Sequence, residues 1–214
     1  KSGRAICFKE EKVRVTGRGA IGVFGIDMEN DQDSVIGMIC LPKKDINKQI
    51  LVVSEKGLGK RTPFLELISP NASAEERAKA IVIADEEGQD HFYELSYRIT
   101  NRGGKGVKTI NITEKTGSLV GLRAVEEKDD LIITCKSGLT IRMKVEQIRE
   151  AGRATQGVKL INVDHGDEIA AIARIQDQEE TEAIDEEAAS ETGQPEERPE
   201  GENNLSDEMP PDDL

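Results

Sequence analysis

The chain has no tryptophan, two tyrosines, four phenylalanines, two histidines and three cysteines in 214 residues. Outside residues 68–97 only Phe8, Phe24 and Phe64 remain as aromatics, too few to stack successive bases, which disfavours single-stranded nucleic acid as a ligand. Cys7, Cys40 and Cys135 are odd in number, far apart and in no CxxC, which argues against a disulfide framework or a zinc site and casts each as a small apolar core residue in a reduced, intracellular setting. His91 and His165 stand alone in loops, and no nucleophile lies in a recognisable pairing with a base, so the expected catalytic set is empty. Asp129-Asp130 and Asp164-His165-Gly166-Asp167 fall where turns are expected, and carboxylates there serve turn geometry, so no metal site is assigned. No GxGxxG follows a strand, no P-loop is present, and no apolar run reaches the ~18–20 residues of a membrane span.

What the chain does contain is repetition. Gly17-Arg18-Gly19-Ala20-Ile21-Gly22-Val23, Asn101-Arg102-Gly103-Gly104-Lys105-Gly106-Val107 and Gly152-Arg153-Ala154-Thr155-Gln156-Gly157-Val158 share one skeleton. The apolar residues that follow fall at the same offsets, as Ile26 and Met28, Ile110 and Ile112, Ile161 and Val163. Gly3, Gly57 and Gly138 mark a turn before each copy, 19 residues ahead of the loop glycine in the first and last copies and 49 ahead in the second. The extra 30 residues read as an insertion at about 68–97. A period near 50 residues belongs to propellers and arrays, whose units bury their apolar faces against one another.

Short β-branched runs around turn-rich stretches predict strands over 35–41, 50–53, 119–125, 131–135 and 169–175. Alternation in 140–145 places Ile141, Met143 and Val145 on one face, with Arg142 and Lys144 on the other. Residues 1–9 read as the second half of a hairpin, so an upstream strand is expected. In the insertion, Ser73-Ala74-Glu75-Glu76 predicts a capping box and a short helix within a solvent-exposed excursion.

The net charge of −13 is unevenly spread. Residues 176–214 hold 16 acidic residues against the single basic Arg198, lack apolar periodicity and read as a disordered tail, set apart from repeats at 1–175. Without tail and insertion, 26 basic residues face 19 acidic ones. Arg18, Arg102 and Arg153 recur at one position of the unit, with Lys105, Lys108 and Lys159 nearby. Gly103, Gly104 and Gly106 would let that loop lie flat on a phosphodiester backbone. Lys60, Arg61, Arg142 and Lys144 add charge from the strands. Regularly spaced cations suit duplex DNA, held through its phosphates by counterion release without base reading.

These motifs resemble the C-terminal domain family of bacterial DNA gyrase A. Arg102-Gly103-Gly104-Lys105-Gly106 matches the last five residues of the family's gyrase box, with Thr100 and Asn101 in place of its Gln and Arg. Residues 152–158 resemble its Gly-Arg-x-Thr-x-Gly-Val loop, and Glu55 to Thr62 its blade hairpins. The resemblance covers about residues 1–175. It implies an all-β pinwheel, propeller-like, with four-stranded blades, about three of them here, whose basic rim bends duplex DNA. It further implies a place in an ATP-hydrolysing topoisomerase that introduces negative supercoils, with gyrase B and a second copy of gyrase A as partners in an A2B2 holoenzyme of the bacterial cytoplasm and nucleoid. ATP and magnesium are used elsewhere in that holoenzyme, so no cofactor is expected in this stretch. The family's catalytic tyrosine also lies elsewhere, and Tyr97-Arg98 has the reverse residue order. The related C-terminal domain of topoisomerase IV and a protein-interaction propeller are the alternatives.

Overall fold

Turn glycines and period-2 apolar runs become β-strands in the computed structural model, which describes residues 1–164 and 166–176. The expected acidic tail, beyond Gln176, and His165 lie outside the described residues. The strands are β1 (Arg4–Ala5), β2 (Gln49–Ser54), β3 (Leu58–Pro63), β4 (Leu65–Leu67), β5 (Ile81–Ala84), β6 (Asp90–Leu95), β7 (Val107–Lys108), β8 (Leu119–Val125), β9 (Asp130–Cys135), β10 (Thr140–Lys144), β11 (Val158–Lys159) and β12 (Ile169–Ile175). A helix, α1 (Ala74–Lys79), carries the expected capping box between Ser73 and Glu76. No helix among the described residues is long and apolar enough to cross a membrane.

The β2–β3 and β9–β10 hairpins each turn at a glycine, and strands from later in the chain are added to them. The segment after a hairpin first reaches back to the previous hairpin and then returns to its own. Thus β7 pairs with β1 and β8 with β2, while β11 pairs with β3 and β12 with β9. The result is one four-stranded sheet, β11-β3-β2-β8, flanked in sequence by the three-stranded β10-β9-β12 and the two-stranded β1-β7. Of the expected four-stranded blades, one is complete among the described residues.

β2 is buried along its whole length because both of its faces are apolar. Leu51 and Val53 join a core with Leu131, Ile133, Val145, Ile148 and Ile169, and Ile50 and Val52 join a second with Phe64, Tyr97, Ile110 and Leu119. Ile141 and Met143 of β10 pack on the first core while Arg142 and Lys144 stay exposed, in line with the alternation.

Three expectations need correction. Residues 35–41 form no strand: their counterparts β8 and β12 pair with β2 and β9, the inner strands of their sheets, and among the described residues no strand pairs with 35–41. The insertion is more than an exposed excursion: β4, β6 and β5 make a three-stranded sheet that sends Ile81, Ile83, Tyr93 and Leu95 onto the second core. Cys40 is exposed rather than in a core, whereas Cys135 is buried.

Candidate nucleic-acid interface

Two of the three Gly-Arg loops are mounted in the same way. Val107 lies opposite Ala5, and Val158 opposite Gly59. Thr100 N donates to Cys7 O at 2.8 Å, and its counterpart Ala151 N donates to Arg61 O at 2.9 Å. Gly106 and Gly157 both have positive φ, and a Cβ on Gly157 would sit 2.5 Å from Gly59 O, so the close crossing of loop and strand requires glycine there.

The loops are also joined to one another. Gly104 O accepts from Asp27 N at 2.9 Å, and the equivalent Thr155 O accepts from Asn111 N at 3.1 Å. Gly103 N donates to Gly25 O at 2.7 Å, and Gln156 Nε2 to Thr113 Oγ1 at 3.3 Å. Each loop thus rests on the strand exit of the loop before it, which fixes the loops in a row.

Arg18, Lys105, Lys108, Arg153 and Lys159 form no ion pair among the described residues, and all but the half-buried Arg153 are exposed. Lys108 Nζ donates to the side-chain oxygen of Asn111 at 3.3 Å. Arg153 places its guanidinium carbon 5.9 Å from the centre of the Tyr97 ring. Arg102 is more committed, donating to Lys12 O and Phe24 O at 3.0 Å each, so it staples the neighbouring segment and keeps part of its N–H fork for a ligand.

The strand cations behave differently. Arg142 pairs with Asp130, its Nε 2.6 Å from the carboxylate, and Lys144 lies 3.7 Å from Glu146. Asp129, fully buried, pairs with Arg174 at 2.7 Å, so these turn carboxylates neutralise strand cations. Lys60 and Arg61 correct the expectation that they face DNA. Lys60 has no exposed surface, and its Nζ donates to Gly152 O and Arg153 O at 2.5 and 2.6 Å. Arg61 is buried and donates to Ile148 O, Gln49 Oε1 and Glu127 Oε1 at 2.6, 2.9 and 2.6 Å. Both are covered by the segment 146–153 crossing β3, a long-range contact that alternation within β3 does not encode.

Sequence reasoning missed Arg4, whose guanidinium donates to Lys105 O and Gly106 O at 2.8 and 3.1 Å, and Tyr97, buried beneath Arg153. It also missed a repeated lock: Ser2 Oγ donates to Asp33 at 2.6 Å and Ser137 Oγ to Asp167 at 2.5 Å. The Ser-Gly turn followed about thirty residues later by an aspartate was the available signal. The Ser137 hydroxyl, followed by backbone amides, holds the Asp167 carboxyl below its usual range.

Strands exchanged between successive hairpins, with basic loops in a row along one side, define a repeat protein of propeller type. The family model described as DNA gyrase C-terminal domain, beta-propeller, matches residues 1–42, 48–72, 96–126 and 129–176, and the chain belongs to that family. The unmatched residues 73–95 carry α1, β5 and β6. The DNA gyrase A of Deinococcus deserti is 35% identical over 181 residues, 84% of this chain and 19% of its own length. That of Campylobacter fetus is 38% identical over 174 residues, 81% of this chain and 16% of its own. The chain therefore spans less than a fifth of these curated relatives. Among solved structures, a DNA gyrase A C-terminal domain aligns with TM-score 0.54 at 22% identity, covering 82% of this chain and 48% of that one. A C-terminal domain of DNA topoisomerase IV aligns with TM-score 0.63 at 15% identity, covering 89% and 49%. These two likenesses are of fold.

Proposed function

We propose that the chain binds and bends duplex DNA along its row of Gly-Arg loops, as the wrapping part of a DNA gyrase A protein. The observation that carries this reading is the loop-to-loop stitching, which holds at fixed intervals cations that have no carboxylate partner among the described residues. A polyanion with regularly spaced phosphates is the ligand that such a row suits. Arg153 and Arg102 offer forked donors to phosphate oxygens, and Lys105, Lys108 and Lys159 add point charges. The cations of the row suit phosphate oxygens, and affinity is expected to come from phosphate contacts and the ease of bending.

In the longer protein, a wrapped segment would be handed to a cleavage core built by other parts of gyrase A with gyrase B, in an A2B2 assembly that uses ATP and magnesium to introduce negative supercoils. The setting is the bacterial cytoplasm, on the nucleoid. The names of the gyrase A relatives support a place in DNA gyrase.

Titration of a labelled linear duplex across rising salt tests the reading. Log affinity is expected to fall linearly with log salt, each phosphate contact contributing about −0.9 to the slope. Replacing Arg153 and Lys159 together with Ala is expected to make the slope shallower by about 2 while the preference among sequences stays flat. A flat salt response in the unmodified protein overturns the proposal and favours a protein-interaction propeller.

A further inference from the structure

Beneath the loop 152–157 lies a cation that cannot itself reach DNA. Lys60 is fully buried in β3, and its ammonium donates to two successive loop carbonyls, Gly152 O and Arg153 O. Its neighbour Thr62 donates from Oγ1 to Ala151 O at 2.8 Å, and Arg61 N donates to Arg149 O at 3.2 Å. Three consecutive β3 residues therefore hold the approach to the loop. A buried ammonium is costly unless its donors are met, so its persistence here needs the carbonyls as much as the loop needs it.

The first repeat solves the same problem with different residues. Ile6 stands at the position of Lys60, near Gly104, and carries no donor. There Arg4 reaches the loop instead, donating to Lys105 O and Gly106 O. Each mounted loop is thus gripped by one cation through two backbone carbonyls, although the cation comes from a different position of the unit and Arg4 takes carbonyls later in its loop than Lys60 does. Repeated outcome from unlike residues indicates that the grip itself matters.

We propose that Lys60 is a positioning residue of the DNA interface: by holding the carbonyls of Gly152 and Arg153 it fixes the loop, with Tyr97 behind the guanidinium, so that Arg153 meets a phosphate without first losing loop entropy. This rests on the proposed DNA-binding reading. Arg153 itself has no carboxylate partner among the described residues. Its main chain is anchored from below and its side chain rests on an aromatic face. Burial, with the Arg153 charge beside it, holds the Lys60 ammonium below the usual lysine range, at about 8, so at neutral pH the grip is in its charged form.

The test is a double-mutant cycle in the 214-residue chain, with a labelled duplex as probe. Lys60→Met keeps the aliphatic stem and removes the donors, and Arg153→Ala removes the phosphate contact. Each is expected to weaken binding roughly fivefold at low salt, with a salt slope shallower by about 1. The double variant should be no weaker than Arg153→Ala, because Lys60 acts through Arg153. Lys60→Arg, which restores donors, should recover part of the affinity. Multiplying losses in the double variant, or full affinity in Lys60→Met, overturns the proposal. Amide exchange over 152–157 is measured in the same proteins and should quicken in Lys60→Met while β9 and β10 keep their protection. If Lys60→Met loosens the whole chain, Thr62→Val, which removes only the Ala151 tether, replaces it: smaller losses of the same non-additive kind support the proposal, and additive ones overturn it. Should the unmodified protein show no salt-dependent binding, the DNA reading fails instead, and the exchange data still report whether Lys60 holds the loop.

Discussion

At the scale of single residues, the contrast between Lys60 and Lys159 shows how little residue type alone decides. Both are lysines beside a loop, yet one is sealed under two carbonyls and the other is exposed with no ion pair among the described residues. The sealed one has a consequence for stability. With its folded value at about 8 and an unfolded value near ~10.4, Lys60 sheds its proton in the folded state first as pH rises. Between those values the unfolded chain binds more protons, so this group's contribution to stability rises with pH through the window and is lost as pH falls back through about 8. Burial raises Tyr97, Cys7 and Cys135, and their effects run the opposite way but are common to the wild type and the variant. The urea midpoint of the wild type minus that of Lys60→Met is therefore expected to increase from about pH 7.5 to about pH 9.5, a range of about two units that spans the folded value. A difference that stays level would show that the ammonium is not held below its ordinary range.

At the scale of elements, the loop crossings predict a sharp division among glycines. Gly157→Ala places a methyl group against the Gly59 carbonyl at positive φ and is expected to cost about 2–3 kcal/mol, read from chemical denaturation. Gly152→Ala, five residues earlier in the same loop, meets open space and is expected to change stability by under about 0.5 kcal/mol. The glycine skeleton that made the repeat visible in sequence is thus partly a packing requirement and partly spacing. Strands β8, β9 and β12 were legible because alternation and turn residues are local signals. The burial of Lys60 and Arg61 was not, because it depends on residues 146–153, close in space and far along the chain. The insertion sheet falls between these cases. Ile81 and Ile83 alternate with Val82 and Ala84, but the acidic flanks drew attention to solvent, and the apolar face found its partner only in the folded core.

For the whole molecule, protection should follow the sheet order. β2, buried on both faces and paired on both edges, is expected to show the slowest amide exchange. Residues 13–24, whose large apolar side chains Val15, Ile21 and Phe24 are 102%, 107% and 85% exposed, are expected to exchange fastest among the described residues. Exchange mass spectrometry resolved to peptides checks the order, and protection of 13–24 equal to that of β2 would contradict the pairing scheme.

The backward reach of each loop also sets a timetable. Arg4 is paired with Lys108 and Leu58 with Lys159, so the outer edge of a hairpin waits for about a hundred further residues before it is closed. At about 5–20 residues per second of synthesis, that wait is about 5–20 s. Throughout it, the edge that will receive the basic loop is an open template for any passing strand, on the ribosome as in a refolding tube. The insertion sheet is made after β3 and before β7, so it lies inside both intervals and lengthens both waits. Translation arrested in that detour would leave β1 and the outer edge of β3 open at once while the β2–β3 hairpin had already formed, making the nascent chain most vulnerable where its sequence looks most regular.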